Sequence, residues 1–189
     1  LKAIISSKYP SFDFGEKDEL EEEKPMEISV VRGFLCTKKS FEAQQAQLKD
    51  IKEVQLPHTL KEINDARELG DLRENSEYQY AKDHKRFLDK EYERIATELG
   101  SVKIMAMKDV IDGLVGFGTK VTIQDNKNNK TICYTFFGRW ESDPDNNVID
   151  INAPIGEALI NHKEGDNVTF TIGGNPFDYT IVSIEKVAF

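Results

Sequence analysis

Apolar residues fall at Ala81, Leu88, Tyr92, Ile95, Leu99 and Val102 with spacings of seven, four, three, four and three, interrupted by the polar Lys85. That is the heptad seam of a long amphipathic helix. Upstream, from about Thr37, the chain has no glycine until Gly70, and Phe41, Leu48, Ile51, Leu60, Ile63 and Ala66 recur close to a helical period. This predicts a first long helix, with a bend at Pro57, because proline removes one backbone donor and crowds the preceding turn. Two long helices joined by only a few residues run antiparallel with seam against seam. The spacing therefore predicts a coiled-coil hairpin over residues 34–112, with "GDLRENSEY", residues 70–78, at its tip.

Beyond Gly113, Gly116 and Gly118 the period changes. Residues 120–125 and 130–138 alternate as strands around an Asn/Lys turn, and 147–152, 167–173 and 178–187 add three more alternating runs. "PIGEALI" is long enough for only a short helix. The fold class is α+β: a helical hairpin, then a small antiparallel sheet carrying one short helix over residues 113–189.

Charge separates the first 33 residues from the rest. Of the formal −9, residues 13–27 carry −6, since eight acids there meet two lysines. So acidic and apolar-poor a stretch reads as a solvated extension or linker. The chain opens on Leu1, which fits one end of a longer protein or a trimmed one. Cys36 and Cys133 lie in different segments with no CxxC, so reduced thiols are expected and a zinc site is not. No apolar run approaches the ~18–20 residues of a membrane span, and the first residues lack a secretory signal's apolar core, so a cytoplasmic place is expected.

The tip gathers Asp71, Glu74 and Glu77 within seven residues. Asp71 and Glu74, three apart, share a face on any helical turn. Spacing favours helix initiation: Asp-x-x-Glu resembles a capping box, Ser76-x-x-Gln79 matches one, and acids suit a helix's positive end. Two unit charges ~6 Å apart in water cost less than about 1 kcal/mol, so the cluster is tolerable without a functional reward. A metal site is permitted but not required.

"ARELGDLRENSEYQYAK", residues 66–82, resembles the signature of the bacterial transcript-cleavage factors GreA and GreB, AR-x-x-GDL-x-EN-(A/S)-EY. The likeness runs over about residues 35–189. "TKKSFEAQQAQLKDIKEVQLP" is similar to the family's first helix, and "INAPIGEALI" to a segment of its FKBP-like carboxy-terminal domain, with Ala153 and Gly156 as departures. The resemblance implies a factor that binds RNA polymerase, passes the coiled coil down the secondary channel and stimulates the polymerase's own hydrolysis of backtracked RNA. It implies no enzyme in its own right. Asp71 and Glu74 take the role of holding a Mg²⁺ shared with polymerase, with no cofactor expected on the isolated protein, and a monomer is expected.

By the same resemblance Asn75, Glu77 and Tyr78 shape the tip. Arg67, Arg73, Lys82, Lys85 and Arg86 are candidates to contact the RNA 3′ end, although residues 61–90 hold seven basic against eight acidic residues, and a mixed solvated face accounts for them equally. Asn152, Pro154 and Ile155 are candidates for docking on polymerase. The lack of a basic surplus there favours a GreA-like factor, whereas "EYQYAK" is similar to GreB. Phe136, Phe137 and Trp140 are expected in core or edge packing.

Overall fold

The computed structural model describes residues 30–68 and 76–189. Strand β1, Leu35–Thr37, leads into α1, Lys38–Asp50. Thr37 caps that helix, its Oγ1 accepting the Ser40 N–H at 3.2 Å and so satisfying an amide that a helix start leaves open. α1 passes through a π-helical turn, Ile51–Gln55, into α2, Leu56–Glu68.

The π turn lies immediately before Pro57. Proline has no N–H, and its ring crowds the carbonyl four residues back, so ordinary α-helical bonding cannot continue there. The Leu56 N–H instead reaches the Ile51 carbonyl, five residues back. One residue is thereby inserted into the helical phase. Buried Ile51 is followed by buried Thr59 and then Ala66, so the first step is eight residues and the second seven. Leu60, expected in the seam, is 45% exposed, while Thr59 is 1% exposed with its Oγ1 3.4 Å from His84 Nδ1. Thr59→Glu is therefore expected to cost about 2 kcal/mol or more by burying a charge, and Leu60→Glu to stay within about 0.5 kcal/mol. Urea unfolding followed by helical circular dichroism checks this; the reverse order would refute the shifted phase.

α3, Ser76–Ser101, buries Ala81, Leu88 and Ile95 as the heptad predicts. Ile51, Leu88 and Ile95 form the hairpin's core, with Leu48, Leu56, Tyr92 and Leu99 packed against it. Ala66 lies beside Ala81, Thr59 beside His84, and Leu48 beside Tyr92 and Leu99. As one number rises the other falls, so the helices are antiparallel. At 1.5 Å per residue, the 26 residues of α3 make an arm about 39 Å long.

The arm is rooted by a ladder too short to show in the sequence. β1 pairs in parallel with β2, Lys103–Met105, matching Leu35 with Lys103 and Thr37 with Met105. Leu35 and Met105 are buried in the core of the following domain.

That domain holds β3 (Thr119–Asp125), β4 (Thr131–Phe137), β5 (Val148–Asp150), α4 (Pro154–Leu159), β6 (Asn167–Ile172) and β7 (Asn175–Lys186). The sheet order is β5-β4-β3-β7-β6. Asp125 opens the β3–β4 turn by accepting the Lys127 N–H and the Asn128 amide, while Asn129 takes φ +57°, the left-handed conformation asparagine tolerates best after glycine. The sheet is not wholly antiparallel. Two 3₁₀ turns, Arg139–Glu141 and Pro144–Asn146, carry the chain back so that β5 runs parallel to β4. Val121, Ile123, Phe136, Ile151, Leu159 and Ile181 fill the core at 1% exposure or less. No helix among the described residues is long and apolar enough to cross a membrane.

Candidate functional site

Residues 69–75, which join Glu68 to Ser76, lie outside the described residues, and with them Asp71, Arg73, Glu74 and Asn75. The structure does locate what flanks them. Ser76 already lies inside α3, so the capping box expected to start on it does not form there. Glu77 is exposed in the first turn of α3, where a carboxylate meets the positive end of the helix dipole.

Helical spacing divides α3 into two flanks beside its buried seam. Tyr78, Lys82 and Lys85 fall on one, and Glu77, Tyr80, His84 and Phe87 on the other. On the first flank, the Lys82 ammonium lies 5.2 Å from the Tyr78 ring centroid, a cation–π distance. Lys85 pairs with Asp89 at 2.6 Å, and Arg86 with Asp83 at 2.9 Å. Such partly or fully exposed pairs within one helix are worth only about 0.3–0.5 kcal/mol, so a phosphate could exchange for either carboxylate. Arg67 is exposed in the last turn of α2. On the opposite flank, an open groove of about 530 Å³ is lined by Glu62, Asp65, Glu77 and Tyr80. Its carboxylates disfavour RNA phosphate on that side.

The other candidate surface follows β5. Asn152 is exposed, and its Nδ2 donates to the Gly33 carbonyl and to Asp150 Oδ1, both at 3.1 Å. Pro154 is exposed at the first position of α4, and Ile155 is half-buried against the core. Gly156 has a packing reason: a Cβ there would overlap the Ile151 carbonyl oxygen and lie 2.7 Å from its carbon. α4 thus lies too close to the backbone for the larger residue usual in the family.

A junction between arm and sheet escaped the sequence reading. Glu98, in the last turn of α3, accepts from Trp140 Nε1 at 3.1 Å, from Arg139 at 3.3 Å and from Arg94 at 2.8 Å. A carboxylate at a helix's negative end is unfavourable alone, and this was the available signal that it had partners elsewhere. Trp140 also meets Phe34 edge-on at 4.9 Å. Glu141 Oε1 accepts the Thr37 N–H at 2.8 Å and its hydroxyl at 3.0 Å. Burial first, and the Glu141 charge second, push the Cys36 thiol up to about 11, so it stays protonated and unreactive. Hydrogen bonding to Arg94 holds the Glu91 carboxyl below its ordinary range. Phe136 is fully buried, whereas Trp140 is half-buried in the junction. Among the described residues no group of three or more His, Cys, Asp or Glu side chains could hold a metal ion.

Comparison with known proteins agrees along most of the chain. The family model for "Transcription elongation factor, N-terminal" (GreA_GreB_N) matches residues 34–104, and that for "Transcription elongation factor, GreA/GreB, C-term" matches residues 110–186. Transcription elongation factor GreA of Treponema pallidum is 35% identical over 153 residues, 81% of this chain and 94% of that protein. The protein of the same name from Borreliella burgdorferi is 40% identical over 190 residues; this chain is matched throughout but spans only 20% of that relative's length. Among solved structures, GreA factor homolog 1 of Thermus thermophilus aligns over 82% of this chain and 99% of its own, with 22% identity and a TM-score of 0.38.

Proposed function

This chain belongs to the GreA/GreB family of transcription elongation factors, and from that premise we propose that it binds RNA polymerase and stimulates the polymerase's own cleavage of backtracked RNA. The observation that carries the reading is the arm. A helical pair about 39 Å long, rooted at one end in a compact sheet, has at its free end the short segment bearing Asp71 and Glu74. Small domains do not need such an extension for their own packing. Its use is to deliver the segment into a partner.

Two carboxylates suit Mg²⁺, which takes oxygen ligands, retains water and is commonly held by one or two protein carboxylates plus phosphate oxygens. Bound there, the ion would supply Lewis-acid stabilisation of charge on the phosphodiester. Asp71 and Glu74 contribute ligand oxygens only, and the remaining positions belong to polymerase and RNA, so the factor alone has no nuclease activity in this reading. RNA meets the arm on the Lys82 and Lys85 flank, away from the acidic groove. A stalled, backtracked complex tests the reading: rapid RNA shortening is expected when polymerase and factor are both present, only slow intrinsic shortening with polymerase alone, and none with factor alone. Equal rates with and without factor would reject it.

The loop from Asn152 to Ile155 is the proposed contact at the channel entrance. Pro154→Asp is expected to weaken polymerase affinity about 10-fold while keeping the fold, since Pro154 is exposed and aspartate suits a helix's first turn. Unchanged affinity in a direct competition assay would remove this loop from the docking surface.

A further inference from the structure

Residues Val30–Gly33 precede both family matches, yet they are built into the sheet domain. Val30 is 8% exposed and joins that domain's core. Its seat is shaped for it: a Cβ on Gly116 would come within 2.9 Å of Val30 Cγ1. The Val30 N–H donates to Asn161 Oδ1 at 2.7 Å. Asn161 adopts φ +68°, a left-handed conformation that persists in a non-glycine residue where its surroundings enforce it. They do so here, because the Asn161 N–H is bonded to the Val115 carbonyl, and the Val115 N–H to that of His162. Three residues on, the Gly33 carbonyl accepts from Asn152 Nδ2. Two asparagines on separate loops thus hold backbone groups of one strap, which continues through Phe34 into β1 and the first helix of the arm.

We propose that Val30–Gly33 is a latch, with Asn161 and Asn152 as positioning residues, that fixes the arm's direction relative to the sheet domain. At its other root the arm joins the sheet domain through the chain after α3. The β1–β2 ladder, Leu35 and Met105 in the sheet-domain core, and the Glu98 and Glu141 bonds already root the arm. The latch adds a further attachment ahead of β1, through Asn161 and Asn152, and so narrows the angles open to the first helix. The functional consequence rests on the polymerase-binding reading above: if the sheet domain docks at an entrance and the arm reaches a distant centre, a small change in angle at the root becomes a large displacement at the tip.

The test separates the latch from that reading. In the full chain with Cys133→Ser, spin labels are attached to cysteines placed at Phe87 on α3 and Val182 on β7, both exposed. Their separation is measured by pulsed electron resonance. Val30→Asp puts a charge into the seat, while Asn161→Gly deletes the acceptor yet keeps φ +68° accessible. A single narrow distance is expected without these changes, and a broadened or second distance with either, at unchanged helical circular dichroism. A narrow, unmoved distance in both variants would overturn the latch, whatever the protein does on polymerase. In the cleavage assay at saturating factor, both should shorten RNA about 10-fold more slowly or worse, as misplacement of reacting groups predicts, with polymerase affinity retained. Broadened distances with full cleavage would overturn the positioning role; no stimulation by the unaltered factor would count against the polymerase reading and leave the distance result to decide the latch.

Discussion

Asp71→Asn and Glu74→Gln are each expected to leave polymerase binding intact while lowering the stimulated rate of RNA shortening about 100-fold, the scale on which active sites lose rate when a charge-stabilising group is removed. Each substitution keeps side-chain size, and asparagine at position 71 would still cap a helix as well as aspartate does. Loss of a cap and loss of a metal ligand therefore separate. Higher Mg²⁺ should restore part of the rate if recruitment of the ion is the lost step. Full cleavage by both variants would return the acids to a purely local role. Tight binding by the unaltered factor with no cleavage would instead identify a regulator that blocks the channel.

What could be read in advance depended on the range of the interactions. The seam of α3 was legible because Ala81, Leu88 and Ile95 bury through local periodicity alone. The phase of α2 was not: the sequence announces a disturbance at Pro57, but whether the helix bends, breaks or inserts a π turn is decided by packing against α3. Leu60 and Thr59 consequently exchanged roles. The longer strands showed alternation and β5 formed inside the expected run 147–152, whereas β1 and β2 have three residues each, too few to display a period. The root of the arm was hidden for another reason. Its contacts join residues about a hundred positions apart, such as Thr37 with Glu141 and Gly33 with Asn152, and no local pattern encodes them. Glu98 was the exception, an acid at the wrong end of a helix dipole. At the tip, the roles proposed for Asp71 and Glu74 rest on the family motif, and their geometry lies outside the described residues.

Gly138→Ala is expected to uncouple that root, at a cost of about 3 kcal/mol or more, the upper range for forcing atoms into a filled site. Gly138 follows β4 and opens the 3₁₀ turn that presents Trp140 and Glu141. An added Cβ would overlap the Leu35 carbonyl oxygen and lie 2.9 Å from its carbon. Both atoms are backbone, and β1 is already held by its ladder to β2 and by the buried Leu35 side chain. Relief therefore requires β1 to move away from the sheet domain, stretching the Phe34–Trp140 contact and the bonds from Thr37 to Glu141. Gly100→Ala is the matched control. Gly100 lies within α3 with nothing inside 4 Å of where the methyl carbon would sit, so alanine should stabilise by about 0.5–1 kcal/mol through helix propensity and reduced unfolded-state freedom. Thermal and urea unfolding of the two variants should move in opposite directions. Hydrogen exchange should locate the Gly138→Ala loss at β1, β2 and the 139–141 turn, with the Ile51, Leu88 and Ile95 core of the arm still protected. Native-like protection at β1 in a stable Gly138→Ala protein would show that the root can absorb the methyl, and that close approach of Leu35 to Gly138 is not what holds the arm in place.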